Sequence, residues 1–205
     1  SLQQSVMNLG ILMVQGLVNS FGTVIMAAFA AAVKIDSFAY MPVQDFGNAF
    51  STFIAQNHGA GEKKRIREGI KKAVMMAMIF CIIVSAAVCL FARPLMLLFI
   101  EPQQTQIISI GVQYLRIEGA FYCGIGCLFL LYGYYRAVGK PGMSVVLTVI
   151  SLGTRVALAY GLSALPAIGV TGIWWSVPIG WFLADLTGFI YLYMKSETNK
   201  RRKMR

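Results

Sequence analysis

The fold follows from one stretch, Ser51–Lys72, which reads STFIAQNHGAGEKKRIREGIKK. An apolar run with small polar residues stops at Gly59, Ala60 and Gly61, and a dense group of basic residues follows at once. Glycine just past a helix end is a common stop signal, because it adopts left-handed backbone angles without steric cost. Apolar segments lie on both sides, so the stretch predicts a short, basic, cytoplasmic loop between two membrane helices.

The composition is that of an integral membrane protein. Hydrophobic residues make up 58% of the chain and charged residues 13%, and the mean hydropathy is +0.68. Soluble domains contain about half apolar and about a quarter charged residues. The net charge is +10, but the bases concentrate in loops and tail rather than on a soluble face, which argues against a nucleic-acid partner. The first residue is Ser1, which fits a fragment, a processed chain or a half-size protein.

Six apolar segments are predicted to cross the bilayer, each close to the roughly 20 residues that a crossing needs. They form a six-helix transmembrane domain, residues 1–194, followed by a basic cytoplasmic tail, residues 195–205. Pro42 lies inside the second segment, where a proline predicts a kink or break and a candidate hinge. The short run Pro94–Ile100 is interpreted as an interfacial helical turn. The six segments cover residues 3–20, 25–58, 73–92, 105–135, 142–165 and 169–194.

The basic residues predict the orientation. Six crossings place both termini on one side, and 14 of the 18 Lys and Arg residues lie on that side. The opposite loops contain Arg93 alone. Because cytoplasmic loops carry an excess of Lys and Arg, both termini are predicted to be cytoplasmic in a bacterial-type cytoplasmic membrane.

Ionisable residues inside the segments are the candidate functional residues. A charge at the centre of a lone helix costs at least about 2.5 kcal/mol, so each should face a partner or a wet cavity. Helical spacing places polar and aromatic residues on common faces, which predicts a cavity for cationic or amphipathic solutes with carboxylates that exchange a proton or bind a cation. The candidate cavity residues are Asp36, Tyr40, Gln44, Asn48, Glu118, Tyr122, Trp181 and Asp185.

A structural interpretation competes with this one. Lys34, Asp45, Arg116 and Arg155 are candidates for internal ion pairs that hold the bundle together, and this role is favoured for both arginines. For Asp36 and Asp185 the two interpretations stay equally open. Trp174 and Trp175 lie near a helix start, where an interfacial aromatic belt explains them as well as substrate contact does.

The sequence gives no sign of an enzyme. It contains one histidine, no nucleophile–base pair, no phosphate loop and no zinc-ligand spacing. The four cysteines lie in apolar runs without CxxC spacing and are interpreted as packing residues. We therefore expect no metal site and no cofactor.

Three motifs resemble a known family. FIAQNHGAGEKKRIREG, at Phe53–Gly69, is similar to the segment after the eighth helix of multidrug and toxic compound extrusion (MATE) transporters. QYLRI at Gln113–Ile117 and YYRAVGKP at Tyr134–Pro141 follow in the order of that family. The resemblance covers essentially the whole chain.

The resemblance implies a twelve-helix protein in which this chain is the C-terminal lobe, helices seven to twelve, partnered by an N-terminal six-helix lobe. It implies efflux of cationic drugs or metabolites in exchange for H⁺ or Na⁺. One branch of the family uses an acidic residue on the seventh helix, whereas residues 1–20 contain no Asp or Glu. Glu118, on the helix that corresponds to the tenth, is the nearest carboxylate and is expected to shape the site. Two alternatives remain, a lipid-linked saccharide flippase of the same superfamily and a non-transporting membrane scaffold.

Overall fold

The structure is a computed structural model that describes the backbone of residues 2–203 and the side chains of residues 5–195. Every regular element in that part of the chain is an α-helix, which confirms the predicted all-α fold. The helices are α1 (Leu2–Asn19), α2 (Thr23–Gly59), α3 (Lys63–Leu97), α4 (Thr105–Gly119), α5 (Tyr122–Ala137), α6 (Pro141–Ser163) and α7 (Thr171–Lys203).

Most of these helices are long and apolar enough to cross a membrane. Helices α2, α3, α6 and α7 qualify singly, and α4 with α5 qualifies as one bent pair. The first predicted segment, residues 3–20, corresponds to α1, whose apolar part within the described side chains, Ser5–Asn19, is shorter than a crossing needs. Five of the six predicted segments thus correspond to candidate spans, and the crossing by α1 stays a prediction.

The connection between α2 and α3 is much shorter than predicted. Helix α2 ends at Gly59 and Gly61 has a φ of +73°, so the glycine stop signal is confirmed. The prediction of a basic loop over residues 59–72 is wrong, because α3 already begins at Lys63. Lys, Arg and Glu are good helix formers, and the helix restarts as soon as Gly61 has turned the chain.

The segment predicted as one helix over residues 105–135 is broken. Helix α4 ends at Gly119, α5 begins at Tyr122, and the two axes are bent by 52°. Gly119 packs closely against α3, since a Cβ there would lie 3.1 Å from Val88 Cγ1. The apolar composition continues through the break, so hydropathy alone does not reveal it.

Helix α2 has no break at Pro42, whereas α3 contains an irregularity near Pro94. Helix α2 runs unbroken through Pro42, which is exposed, so the expected break is not found there. A non-helical residue occurs instead in α3 at Phe91, with φ −99° and ψ 17°, shortly before Pro94. The separate turn predicted for Pro94–Ile100 is therefore largely the end of α3. Helix α7 likewise extends to Lys203 and includes most of the predicted tail.

Helix α5 is the central element of the bundle. It packs against α2, α3, α6 and α7, and apolar residues are buried around its whole circumference, which is the pattern of an interior helix. It crosses α2 at two glycines, since a Cβ on Gly133 would lie 2.6 Å from the carbonyl oxygen of Gly47. Small residues at such crossings let backbones approach closely, as in other membrane bundles.

Candidate functional site

Five polar residues from four helices meet in the interior and are called the polar cluster. The phenol of Tyr122 donates a hydrogen bond of 2.5 Å to Oδ1 of Asp36. The Asp36 carboxylate also interacts electrostatically with Glu118, Arg155 and Tyr114. The cluster therefore joins α2, α4, α5 and α6.

The break between α4 and α5 positions two members of the cluster. Glu118 is in the last turn of α4 and Tyr122 is the first residue of α5. In a continuous helix these two would lie one above the other, whereas the bend directs Tyr122 toward α2. Broken helices with binding residues at their ends are a recurring arrangement in membrane transporters.

The cluster contains buried polar atoms that the described residues do not satisfy. Asp36 is 4% exposed and Glu118 is 1% exposed. Glu118 Oε1 and Arg155 Nε have no hydrogen-bond partner in the described part of the chain. Two carboxylates against one guanidinium leave one acid without a matching charge. Because buried charges require pairing, the arrangement can hold one proton or one small cation.

An aromatic wall, formed by Phe29, Tyr114 and Trp174, adjoins the cluster through Tyr114. The rings of Phe29 and Trp174 stack with centroids 5.6 Å apart and an interplanar angle of 6°. Tyr114 meets Trp174 edge-on at 5.0 Å. Trp174 is fully buried, so the interfacial-belt interpretation is wrong for it, and 41% of Trp175 is exposed.

Sequence reasoning left Phe29 and Trp174 out of the candidate site, although a signal existed for the first. Phe29 precedes Asp36 by seven residues, which is two helical turns on the same face of α2. For Trp174 the sequence offers no such signal. Two neighbouring tryptophans on a helix point in different directions, and the sequence does not indicate which of Trp174 and Trp175 is buried in the core.

Three further predicted cavity residues lie close to this region. Tyr40 interacts electrostatically with Asp36 and its ring lies 6.0 Å from that of Phe129. Trp181 and Asp185 are buried on α7, next to Gly124 of α5, where a Cβ would lie 3.9 Å from Asp185 Oδ2. Asp185 Oδ1 has no hydrogen-bond partner among the described residues. A third buried carboxylate, outside the polar cluster, thus lies against α5.

The remaining predicted residues are placed elsewhere. Asn48 is exposed and its Oδ1 accepts a hydrogen bond of 2.9 Å from Arg136 Nη2, which ties α2 to the end of α5. Gln44 is half-buried. Of the four residues predicted to form structural ion pairs, only Arg155 reaches the cluster. Lys34, Asp45 and Arg116 are exposed, because they lie on helix faces turned away from the core.

The turn between α5 and α6 makes a polar contact with α7 outside the polar cluster. Lys140 Nζ donates a hydrogen bond of 2.7 Å to the phenol oxygen of Tyr191 in α7. This bond raises the pKa of the Lys140 ammonium. Gly139, with a φ of +72°, turns the chain just before it. The motif YYRAVGKP therefore fixes the α5–α6 turn against α7.

A search of the described residues finds no group of three or more His, Cys, Asp or Glu side chains able to hold a metal ion. Their four cysteines are free thiols.

Comparison with known proteins identifies relatives over nearly the whole chain. Residues 1–161 match the family model described as MatE. A Bacillus subtilis (strain 168) protein named "Probable multidrug resistance protein YpnP" is 31% identical over 192 residues, which cover 93% of this chain and 42% of the relative. The chain spans less than half the length of the curated relatives it matches.

Two solved structures show the same fold in opposite conformations. One is described as the outward-facing and the other as the inward-facing conformation of a multidrug resistance MATE family transporter of the MOP superfamily. Their sequence identities are 21% and 20%, and both TM-scores are 0.87. Each alignment covers 98% of this chain but only 45% and 46% of the respective solved chain.

Proposed function

The chain belongs to the MatE family, whose members are transporters rather than enzymes, and we propose that it forms the C-terminal six-helix lobe of a cation-coupled efflux transporter. The lobe assignment is supported by the relatives, of which the chain spans less than half, and by the solved structures, whose fold its whole length matches. The proposed partner is an N-terminal six-helix lobe. The distribution of Lys and Arg supports a cytoplasmic location for both termini.

The polar cluster is the proposed coupling site, and it is the single observation that carries the function. Asp36 and Glu118 share the neighbourhood of one guanidinium, Arg155, inside a bundle of apolar helices. When both carboxyls are ionised, the three groups have a net charge of −1. A proton or a sodium ion that binds in the cluster neutralises that charge. The net charge of the cluster thereby depends on whether the coupling ion is bound.

Substrates of the transporter are proposed to be organic cations or amphipathic molecules. The half-buried ring of Phe29, at the edge of the aromatic wall, supplies an apolar face and a ring quadrupole, which attracts cations, and the wall adjoins the acidic cluster through Tyr114. A cationic substrate and a coupling ion compete for the same negative charge, which is what antiport requires. Each ligand shifts the equilibrium between the two facing states by its differential affinity for them.

Alternating access is proposed to occur by movement of this lobe as a unit. The chain matches the outward-facing and the inward-facing structures equally well, which supports a lobe whose internal packing persists in both states. The fully packed α5 in its centre also favours rigid-body motion over internal rearrangement. A hinge at Pro42 stays the alternative, in which α2 bends within the lobe.

The test uses the complete gene product in proteoliposomes loaded with a fluorescent organic cation. We expect efflux driven by an imposed proton or sodium gradient, and strong loss of gradient-driven efflux in Asp36→Asn and in Glu118→Gln. Asp45→Asn is the matched control, because it removes an exposed acid from the same helix as Asp36. Absence of cation-coupled flux would favour the scaffold alternative. Gradient-driven flux that survives both substitutions would remove the polar cluster from the mechanism.

A further inference from the structure

A groove between α2 and α3 lies outside the polar cluster and has a different character. Its wider part has a volume of about 460 Å³ and is walled by the rings of Phe46, Phe50 and Phe53. Arg65 and Lys72 from the first turns of α3 line the same cavity. One end of the groove is therefore basic and the wall beside it aromatic.

The groove continues along the two helices as an apolar channel. A second cavity of about 200 Å³ is lined by Pro42, Val43, Phe46, Met76, Ala77 and Phe80, without a charged residue. Phe46 and Met76 line both cavities, so the two cavities are adjacent parts of one groove between α2 and α3. Its polarity falls steadily from Arg65 toward Phe80.

The dimensions of the apolar part fit one bilayer leaflet. Lys72 and Phe80 are eight residues apart on α3, which corresponds to about 12 Å at a rise of about 1.5 Å per residue. Half of the hydrocarbon core of a bilayer is about 15 Å thick. A molecule with its charged group at Lys72 and its apolar part in the groove would therefore have its tail within one leaflet.

The positive charge at the basic end of the groove favours a ligand with a negatively charged headgroup. The lining residues there carry two positive charges, from Arg65 and Lys72, and one negative charge, from Glu68. Lys63 and Lys64 lie in the first turn of α3 and add further positive charge at this end of the helix. Such clusters at a membrane surface favour anionic lipid headgroups, and a guanidinium matches the geometry of a phosphate.

We propose that the groove between α2 and α3 binds one anionic phospholipid, with its phosphate at Arg65 and Lys72 and one acyl chain along Phe46, Met76 and Phe80. The lipid fills a space between two helices that is lined by aromatic and aliphatic side chains. This site is independent of the proposed coupling site, because the two share no residue.

Native mass spectrometry of the purified complete gene product tests the site. The delipidated protein is titrated with phosphatidylglycerol and, separately, with phosphatidylcholine that has the same acyl chains. We expect one phosphatidylglycerol to bind in preference to phosphatidylcholine. The double variant Arg65→Gln/Lys72→Gln should weaken phosphatidylglycerol binding about tenfold or more, because each base near the surface contributes to anionic-lipid binding.

The matched control is Arg67→Gln/Lys71→Gln. It removes one arginine and one lysine from the same helix, and neither residue lines the groove. We expect this variant to keep the wild-type preference within about twofold if the site is specific. Equal losses in the two double variants would show only general charge attraction and would overturn the proposal.

A second variant tests the groove without changing its charge. Ala49 lines the wider cavity and is exposed, so Ala49→Trp should fold and should block the acyl chain. We expect loss of phosphatidylglycerol binding in this variant. Unchanged binding, or displacement of the lipid by soluble glycerol phosphate at equal concentration, would show that the groove does not hold a lipid chain.

Discussion

Tyr122, the first residue of α5, donates a 2.5 Å hydrogen bond to Asp36 in the middle of α2, across 86 positions of sequence. The bond fixes the orientation of one of the two buried carboxyls in the polar cluster. Tyr122 directly follows the 52° bend between α4 and α5, so the bond joins α2 to the point where these two helices meet.

Removing this donor should destabilise the protein. Tyr122→Phe leaves Asp36 buried without its hydrogen bond, and bonds to charged groups contribute about 1.5–3 kcal/mol. We expect a decrease of that order in the free energy of unfolding of the complete gene product in mixed micelles. In a double-mutant cycle with Asp36→Asn, the two losses should not add. Tyr134→Phe in the same helix is the control, and additive losses would disprove the coupling.

The sequence predicted much of the helical framework and less of the site, for a physical reason. The stop at Gly59–Gly61 depends on local backbone angles, and local signals of this kind can be read from sequence. The break after Gly119 coincides with close packing of α4 against Val88 in α3, a contact between distant segments that a local sequence pattern does not reveal. Sequence spacing put Glu118 and Tyr122 on one helical face, but their shared site depends on the break and on α2.

The burial of the charged residues in α2 could not be predicted from the sequence either. Hydropathy marks Lys34, Asp36 and Asp45 alike as charges within a membrane segment, yet only Asp36 is buried. Which face of α2 meets α4 and α5 is decided by partner helices, including the close crossing at Gly47 and Gly133. Hydropathy therefore places Lys34 and Asp45 within a membrane segment but does not predict which side chains reach the core.

The crossing of α2 and α5 should not tolerate a side chain at Gly133. A Cβ there would lie 2.6 Å from the Gly47 carbonyl oxygen, and a backbone atom cannot rotate away. We expect Gly133→Ala to force the helices apart at a cost of about 1–3 kcal/mol, as in other overpacked cores. The melting temperature in detergent should fall. Gly153→Ala in α6 is the control, because no atom lies within 4 Å of its added Cβ, and an equal fall there would refute the close-crossing explanation.

The two adjacent tryptophans should respond differently to the same substitution. Trp174→Leu removes the stacked contact with Phe29 and the edge-on contact with Tyr114, and truncation of a large buried aromatic costs about 3–5 kcal/mol when it is complete. We expect a clear loss of thermal stability and weaker binding of a cationic dye. Trp175→Leu should change either quantity little, because 41% of that residue is exposed. Equal effects would argue against the aromatic wall.

The proposed orientation can be tested with single cysteines in a background from which Cys81, Cys89, Cys123 and Cys127 have been removed. Glu62→Cys lies between α2 and α3, and Gln103→Cys lies between α3 and α4. In intact cells, a membrane-impermeant maleimide should label Gln103→Cys and leave Glu62→Cys unreacted. In inverted membrane vesicles the pattern should reverse. The opposite pattern would place the basic end of α3 outside the cell.

The charge balance of the polar cluster predicts rescue by a second substitution. Among the described residues, Arg155 carries the one positive charge that interacts with both Asp36 and Glu118. Arg155→Met removes it, and loss of one partner from a fully buried pair costs about 3–5 kcal/mol. Arg155 is half-buried, so we expect a smaller loss of unfolding free energy. Arg155→Met/Glu118→Gln should recover most of it, because the cluster then has the same net charge as before. Arg116→Met, at an exposed arginine, should need no rescue. A double variant no more stable than Arg155→Met would show that Arg155 acts through packing of its aliphatic chain rather than through its charge.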